Sequence, residues 1–119
     1  MRFLSVDLSF VTDAGASSSS MAANLTSNSI DIRTVYGCSL QFKYTGAPEG
    51  TMTVEASDDE IVPAASQNWV TVAGSSVVVT GTGDWIYNIA DLNTGFIRLK
   101  YTFASGTGAL TAKIVTKGV

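Results

Sequence analysis

At 119 residues the chain is long enough for one domain with a sizeable core, and its composition, 45% hydrophobic against 14% charged, leaves Ser, Thr, Gly and Asn to make the polar surface. A net charge of −3 with seven scattered Lys and Arg residues argues against electrostatic capture of nucleic acid. With no histidine and one cysteine, the sequence excludes an internal disulfide, Cys-rich zinc sites and Ser-His-Asp or Cys-His catalysis.

Residues 2–11 set Leu4, Val6, Leu8 and Phe10 against Phe3, Ser5, Asp7 and Ser9, the period of two of a strand with one good apolar face. This end holds neither a signal-peptide core nor a small-residue cleavage site, and nowhere are there about eighteen consecutive apolar residues to span a bilayer. Synthesis in a cytoplasm without export or membrane insertion is the expectation. Residues 13–28 are rich in Ser, Ala, Gly and Asn and include Ser17 to Ser20. They read as a loop, either mobile or a tether that lets residues 1–11 reach another sheet or another subunit.

Cys38, Leu40, Phe42 and Tyr44 then alternate with Ser39, Gln41, Lys43 and Thr45, and Gly46 to Gly50, with Pro48, turns the chain. Met52, Val54 and Ala56 point inward on the return arm, so the spacing predicts a β-hairpin. Cys38, in phase with the apolar set, reads as a small buried hydrophobe. Residues 57–68 form a loop carrying the acidic cluster Asp58-Asp59-Glu60, and short β-branched strands follow at residues 69–72 and 77–80. Residues 84–89 bring Trp85, Tyr87 and Ile89 to one face, and residues 90–95 are a connection with room for a single helical turn.

In the last stretch Ile97, Leu99, Tyr101 and Phe103 alternate with Arg98, Lys100 and Thr102, and Leu110, Ala112 and Ile114 alternate with Thr111, Lys113 and Val115. With Gly106 and Gly108 between them, these arms predict a second half-buried β-hairpin, around which the rest is organised. About eight strands at regular spacing predict an all-β fold, a two-sheet antiparallel β-sandwich of jelly-roll-like form. Residues 1–28 are its N-terminal arm and Ser-rich loop, and residues 29–119 its sandwich domain.

Few residue sets can carry chemistry. Glu55, Asp58, Asp59, Glu60, Asp84 and Asp91 are the carboxylates that a glycosidase would draw on, but a chain without cleft-forming insertions favours no catalytic role, and no enzyme is expected. Asp58, Asp59 and Glu60 could hold a calcium ion through their oxygens, although the spaced ligands and glycine of an EF-hand are missing; a solvated acidic loop is the preferred reading. Trp69, Trp85 and Tyr87 would form a sugar-binding platform if displayed on one flat face, while large aromatics in short strands more often fill the space between sheets. Arg98 and Lys100, with Lys113 on the following strand, predict a basic stripe that is solvated, or that meets an acidic neighbour such as Glu55 or Asp59 of another copy.

The succession Gly50 to Asp59, Asn68-Trp69, Phe96 to Thr102, Ser105-Gly-Thr-Gly108 and Leu110 to Ile114 resembles small β-sandwich structural proteins encoded among bacteriophage virion genes. The likeness spans residues 30–117 and departs from the family at Asp58-Asp59-Glu60, where members often show a plain Asn-Asp pair. It implies a non-enzymatic capsid-associated, decoration or tail-associated protein of the virion, with no cofactor and no catalytic residue. Its expected partners are other copies of itself, a trimer by preference, and other virion proteins such as the major capsid protein, with no nucleic acid and no membrane. A carbohydrate-binding module of a phage fibre or tail is the alternative.

Overall fold

The computed structural model describes residues 2–33, 35–58, 68–89 and 95–118, and every helix or strand among them is a β-strand. In chain order these are β1 (Arg2–Asp7), β2 (Phe10–Val11), β3 (Leu25–Ser27), β4 (Ile30–Asp31), β5 (Val35–Gly46), β6 (Glu49–Ser57), β7 (Val70–Thr71), β8 (Val77–Thr80), β9 (Gly83–Ile89), β10 (Phe96–Ser105) and β11 (Gly108–Gly118). The smaller sheet has the order β1-β11-β5-β9. The larger runs β2-β3-β10-β6-β7, with β4 also on β10 and β8 also on β6. All pairings are antiparallel, and the apolar faces of the two sheets close on one another as a β-sandwich.

The predicted periodicity places the core correctly. Leu40, Phe42 and Tyr44 of β5 and Leu110, Ala112 and Ile114 of β11 face Met52 and Val54 of β6 and Ile97, Leu99 and Tyr101 of β10, all of them buried. Phe103, expected on that inner face, is instead exposed at the end of β10, where the register slips between Phe103 and Ser105.

Neither predicted hairpin forms. β10 pairs with β6, and β11 pairs with β5, so the connections at residues 47–48 and 106–107 each carry the chain from one sheet to the other. They are arches. A hairpin would leave both apolar faces on the same side, still needing a cover; an arch turns them toward each other and buries them at once. The arches lie side by side, with the Ala47 N–H donating to the Thr107 carbonyl at 2.9 Å. Gly106 sits at φ +80°, and a Cβ there would stand 2.1 Å from the Ala47 carbonyl oxygen. The backbones meet at a distance that only glycine permits.

Eleven strands appear among the described residues where about eight are expected, because two- and three-residue strands such as β2, β3, β4 and β7 are too short to show a period. The single strand predicted over residues 2–11 is divided between the sheets: β1 lies on β11, and β2 pairs with β3 in the larger sheet. Residues 13–28, read as a loop, place Met21 and Leu25 in the core, and the Met21 N–H donates to the Gly108 carbonyl at 2.8 Å. The expected helical turn in residues 90–95 lies outside the described residues except for Gly95.

Gly106→Ala should cost at least about 2 kcal/mol, whereas Gly15→Ala, at a similar φ but with open space around it, should cost about 1 kcal/mol. Urea unfolding of both variants checks the difference; equal losses would mean that the arches do not touch as described. Burial also pushes the Cys38 thiol from 9.0 up to about 11. Because the unfolded chain ionises first, this contribution to stability is complete below pH 9.0 and is lost as pH climbs toward about 11. A thiol reagent at about pH 8 should therefore label Cys38 only after denaturation, and rapid labelling of the native protein would contradict the burial.

Candidate functional site

Because Ile97, Leu99 and Tyr101 of β10 turn inward, Phe96, Arg98 and Lys100 line the outer face of the larger sheet. Arg98 stands opposite Glu55 of β6 in register, and its Nε donates to Glu55 Oε1 at 2.8 Å. The two side chains are only 20% and 11% exposed. The Arg98 guanidinium also lies over the Trp69 ring, 4.2 Å from its centroid. The basic stripe read from sequence is thus not free: Arg98 meets Glu55 of its own chain, and Lys113 lies on the other sheet, on β11. Lys100, half-buried, stands between Thr53 and Thr26.

One row along, Phe96 has Ser57 on one side and Asp31 on the other. The Arg33 guanidinium stacks over the Phe96 ring at 5.1 Å and grips Asp31 through two bonds, Nε to Oδ1 at 2.9 Å and Nη2 to Oδ2 at 2.7 Å. Side-chain and then backbone hydrogen bonds from Arg33 hold the Asp31 carboxyl below its ordinary pKa. Two adjoining rows therefore repeat one chemistry: an arginine paired to a carboxylate and laid on an aromatic ring. Charges in these two rows are neutralised in place, and the residues are of the Arg and aromatic types that dominate contact energetics between proteins.

Asp58 accepts a hydrogen bond from the Gly95 N–H at 3.1 Å and so ties the end of β6 to the start of β10. Asp59 and Glu60, the other members of the calcium expectation, lie outside the described residues, as does Asp91. Trp85 and Tyr87 sit on β9 in the smaller sheet, half-buried, with ring centroids 5.7 Å apart, and Trp85 also contacts Phe42 at 5.9 Å. Trp69 is on the outer face of the other sheet, so the three aromatics do not share a platform.

Sequence reading missed a hollow of about 560 Å³ where the edge of β11 is covered in two pieces. β1 covers it as far as Asp7 opposite Lys113, and the chain returns at Ser19, whose carbonyl accepts the Leu110 N–H at 2.9 Å. Asp7, Ser17 to Ser19 and Thr111 line the hollow, and a second one on its flank is lined by Gln41, Lys43 and Lys113. These residues come together only through pairing across about a hundred positions of chain, and no local spacing signals that.

No protein-family model matches the chain, and no curated protein matches it in sequence. Solved structures do. The SPBc2 prophage-derived protein YomS superposes over 98% of this chain and 95% of its own, with a TM-score of 0.56 at 14% identity, a likeness of fold. A protein of the Bacillus endospore appendages, which form a novel family of disulfide-linked pili, aligns over 99% of this chain and 87% of its own at TM-score 0.44 and 11% identity. The C-terminal CBM6 of LamC, a marine laminarinase from Zobellia galactanivorans, aligns over 96% and 91% at TM-score 0.38 and 16% identity. Among the described residues no helix is long and apolar enough to cross a membrane.

Replacing Arg98 by Met should cost about 1–3 kcal/mol, because Glu55 is left largely buried without its cation. Adding Glu55→Gln should recover at least half of that loss, and Lys100→Met should stay within about 0.5 kcal/mol of the parent. Denaturant melts of the single and double variants decide it; a simple sum of losses in the double variant would show that the pair is not coupled.

Proposed function

We propose that this protein is a non-enzymatic structural subunit of a bacteriophage particle, by preference a capsid-associated or decorating one, in contact with other copies of itself and with other virion proteins such as the major capsid protein. The observation that carries the reading is the match of fold with the prophage-derived YomS over 98% of this chain and 95% of that one. The arginine–aromatic rows on the larger sheet support it, since a particle subunit works by presenting fixed, complementary surfaces. Mass spectrometry of gradient-purified particles should find the polypeptide at a constant ratio to the major capsid protein. Particles that lack it through successive gradients would refute the proposal.

The Trp85–Tyr87 pair, stacked and half-buried on an edge strand, favours a second reading as a carbohydrate-binding module of a fibre or tail. Glycan arrays with the parent chain, Trp69→Ala and Trp85→Ala separate the two: specific binding that a folded Trp85→Ala variant loses selects the module, and a blank array selects the structural subunit.

A further inference from the structure

The edges of the sheets are closed unequally. The larger sheet ends in the two-residue strands β2 and β7 and in β8, and the outer edge of the smaller sheet at β1 carries Asp7. At its other edge lies β9, seven residues long, with no Lys, Arg or Pro to discourage pairing. Among the described residues none pairs with β9 on the side away from β5.

Which main-chain groups that edge displays follows from the bonds further in. The Ala112 carbonyl accepts from Leu8 and the Leu110 N–H donates to Ser19, so the even-numbered residues of β11 address the β1 side. The odd ones, Thr111 and Lys113, must then bond Lys43 and Gln41 of β5. That turns Leu40 and Phe42 of β5 toward their partners Tyr87 and Trp85. Asp84, Ile86 and Asn88 are left with their N–H and C=O groups directed outward.

Around Ile86 this strand reads the same in both directions in its chemistry: Asp84, Trp85, Ile86, Tyr87, Asn88. Ile86 is 52% exposed on the outer face. We propose that β9 is a homodimerisation edge, pairing antiparallel with β9 of a second copy about a twofold axis through Ile86, so that the two smaller sheets become one continuous sheet. In that register Ile86 meets Ile86, each Asp84 carboxylate meets the amide of the second copy's Asn88, and each Trp85 packs beside the second copy's Tyr87 on the inner face. The outward groups of Asp84, Ile86 and Asn88 supply about six main-chain hydrogen bonds, all in hydrogen-bonded positions of the ladder. Moving the axis to Asp84 would set two carboxylates opposite each other, and a one-residue slip would bring inward-bonded groups to the edge. Self-complementarity of this kind is what an isologous interface demands. The inference names a partner for the proposed particle subunit, but its test uses the isolated chain, so either can fail alone.

Light scattering on the purified full chain at tens of micromolar should give about twice the 12.4 kDa protomer mass. Ile86→Lys, which places two ammonium groups at the axis on an already exposed position, should return the mass to that of the protomer with an unchanged circular dichroism spectrum, whereas Val78→Lys, at a site 75% exposed on the other sheet, should leave the dimer intact. Oxidised Ile86→Cys should give a reducible covalent dimer, because Cα atoms of such a pair stand about 5.5 Å apart, within disulfide reach. A parent chain at protomer or trimer mass, a dimer that survives Ile86→Lys, or Ile86→Cys that crosslinks no faster than Val78→Cys overturns the proposal.

Discussion

Everything in this fold depends on the contact between the two arches. Where they cross, backbone touches backbone: the Ala47 N–H bonds the Thr107 carbonyl, and a Cβ on Gly108 would stand 2.2 Å from the Thr45 carbonyl oxygen. Such contacts admit no sliding, because any shift drives a carbonyl into a Cα. With the turns locked, β5 has to run beside β11 and β6 beside β10, each in one register up to a slip near its end, at Lys117/Gly118 and at Phe103/Ser105. The sandwich is two strand pairs hung from one fixed joint, and the other strands add to its edges.

That register decides the electrostatics of the surface. It puts Asp7 opposite Lys113 on the smaller sheet, Lys43 opposite Asp84, and Arg98 opposite Glu55 on the larger one. Cross-strand pairs of opposite charge contribute about 0.2–1 kcal/mol each where exposed, so their weight in stability is small. Their greater effect is on recognition. With only 14% charged residues, and many of these facing an opposite charge, the chain has little long-range field with which to steer a partner. Association has to come from shape and from short-range contacts: arginine on aromatic, apolar side chain on apolar side chain, main chain on main chain.

What the sequence made legible was the side of each strand that is buried, because alternation is a local property written into five or six consecutive residues. Leu110, Ala112 and Ile114 were readable in this way, and so was the turning-out of Arg98 and Lys100. Partnership between strands was not legible. A Gly-rich connection between two alternating arms has the same pattern whether the arms lie in one sheet or in two, and only the apposition of two such connections made arches of both. The same ambiguity reaches the basic stripe: read as a hairpin, the last two strands set Lys113 beside Arg98 on a solvated face, whereas the observed pairing gives Arg98 the Glu55 of its own chain. Trp69, Trp85 and Tyr87 were grouped because they are large and rare, yet residue type carries no information about which sheet holds them. Met21 and Leu25 were lost in a stretch whose small residues hide two isolated anchors.

The N-terminal residues give the molecule its asymmetry. β1 and the segment around Ser19 to Met21 cover the β11 edge of the smaller sheet in turn, the second through hydrogen bonds from Leu110 to Ser19 and from Met21 to Gly108. Residues that read as an appendage therefore do for one edge what a neighbouring subunit does in an assembled sheet: they satisfy its outward N–H and C=O groups. At the opposite edge, β9, no described segment does so. β1 is itself the last strand on its side, so the smaller sheet has two outer strands, β1 and β9, and the one whose residues read alike in both directions is β9. Pairing of β9 with β9 about a twofold axis uses that edge of both copies, and so it ends at two. A larger assembly has a second surface to draw on, the outer face of the larger sheet, where Arg98 lies on Trp69 and Arg33 on Phe96.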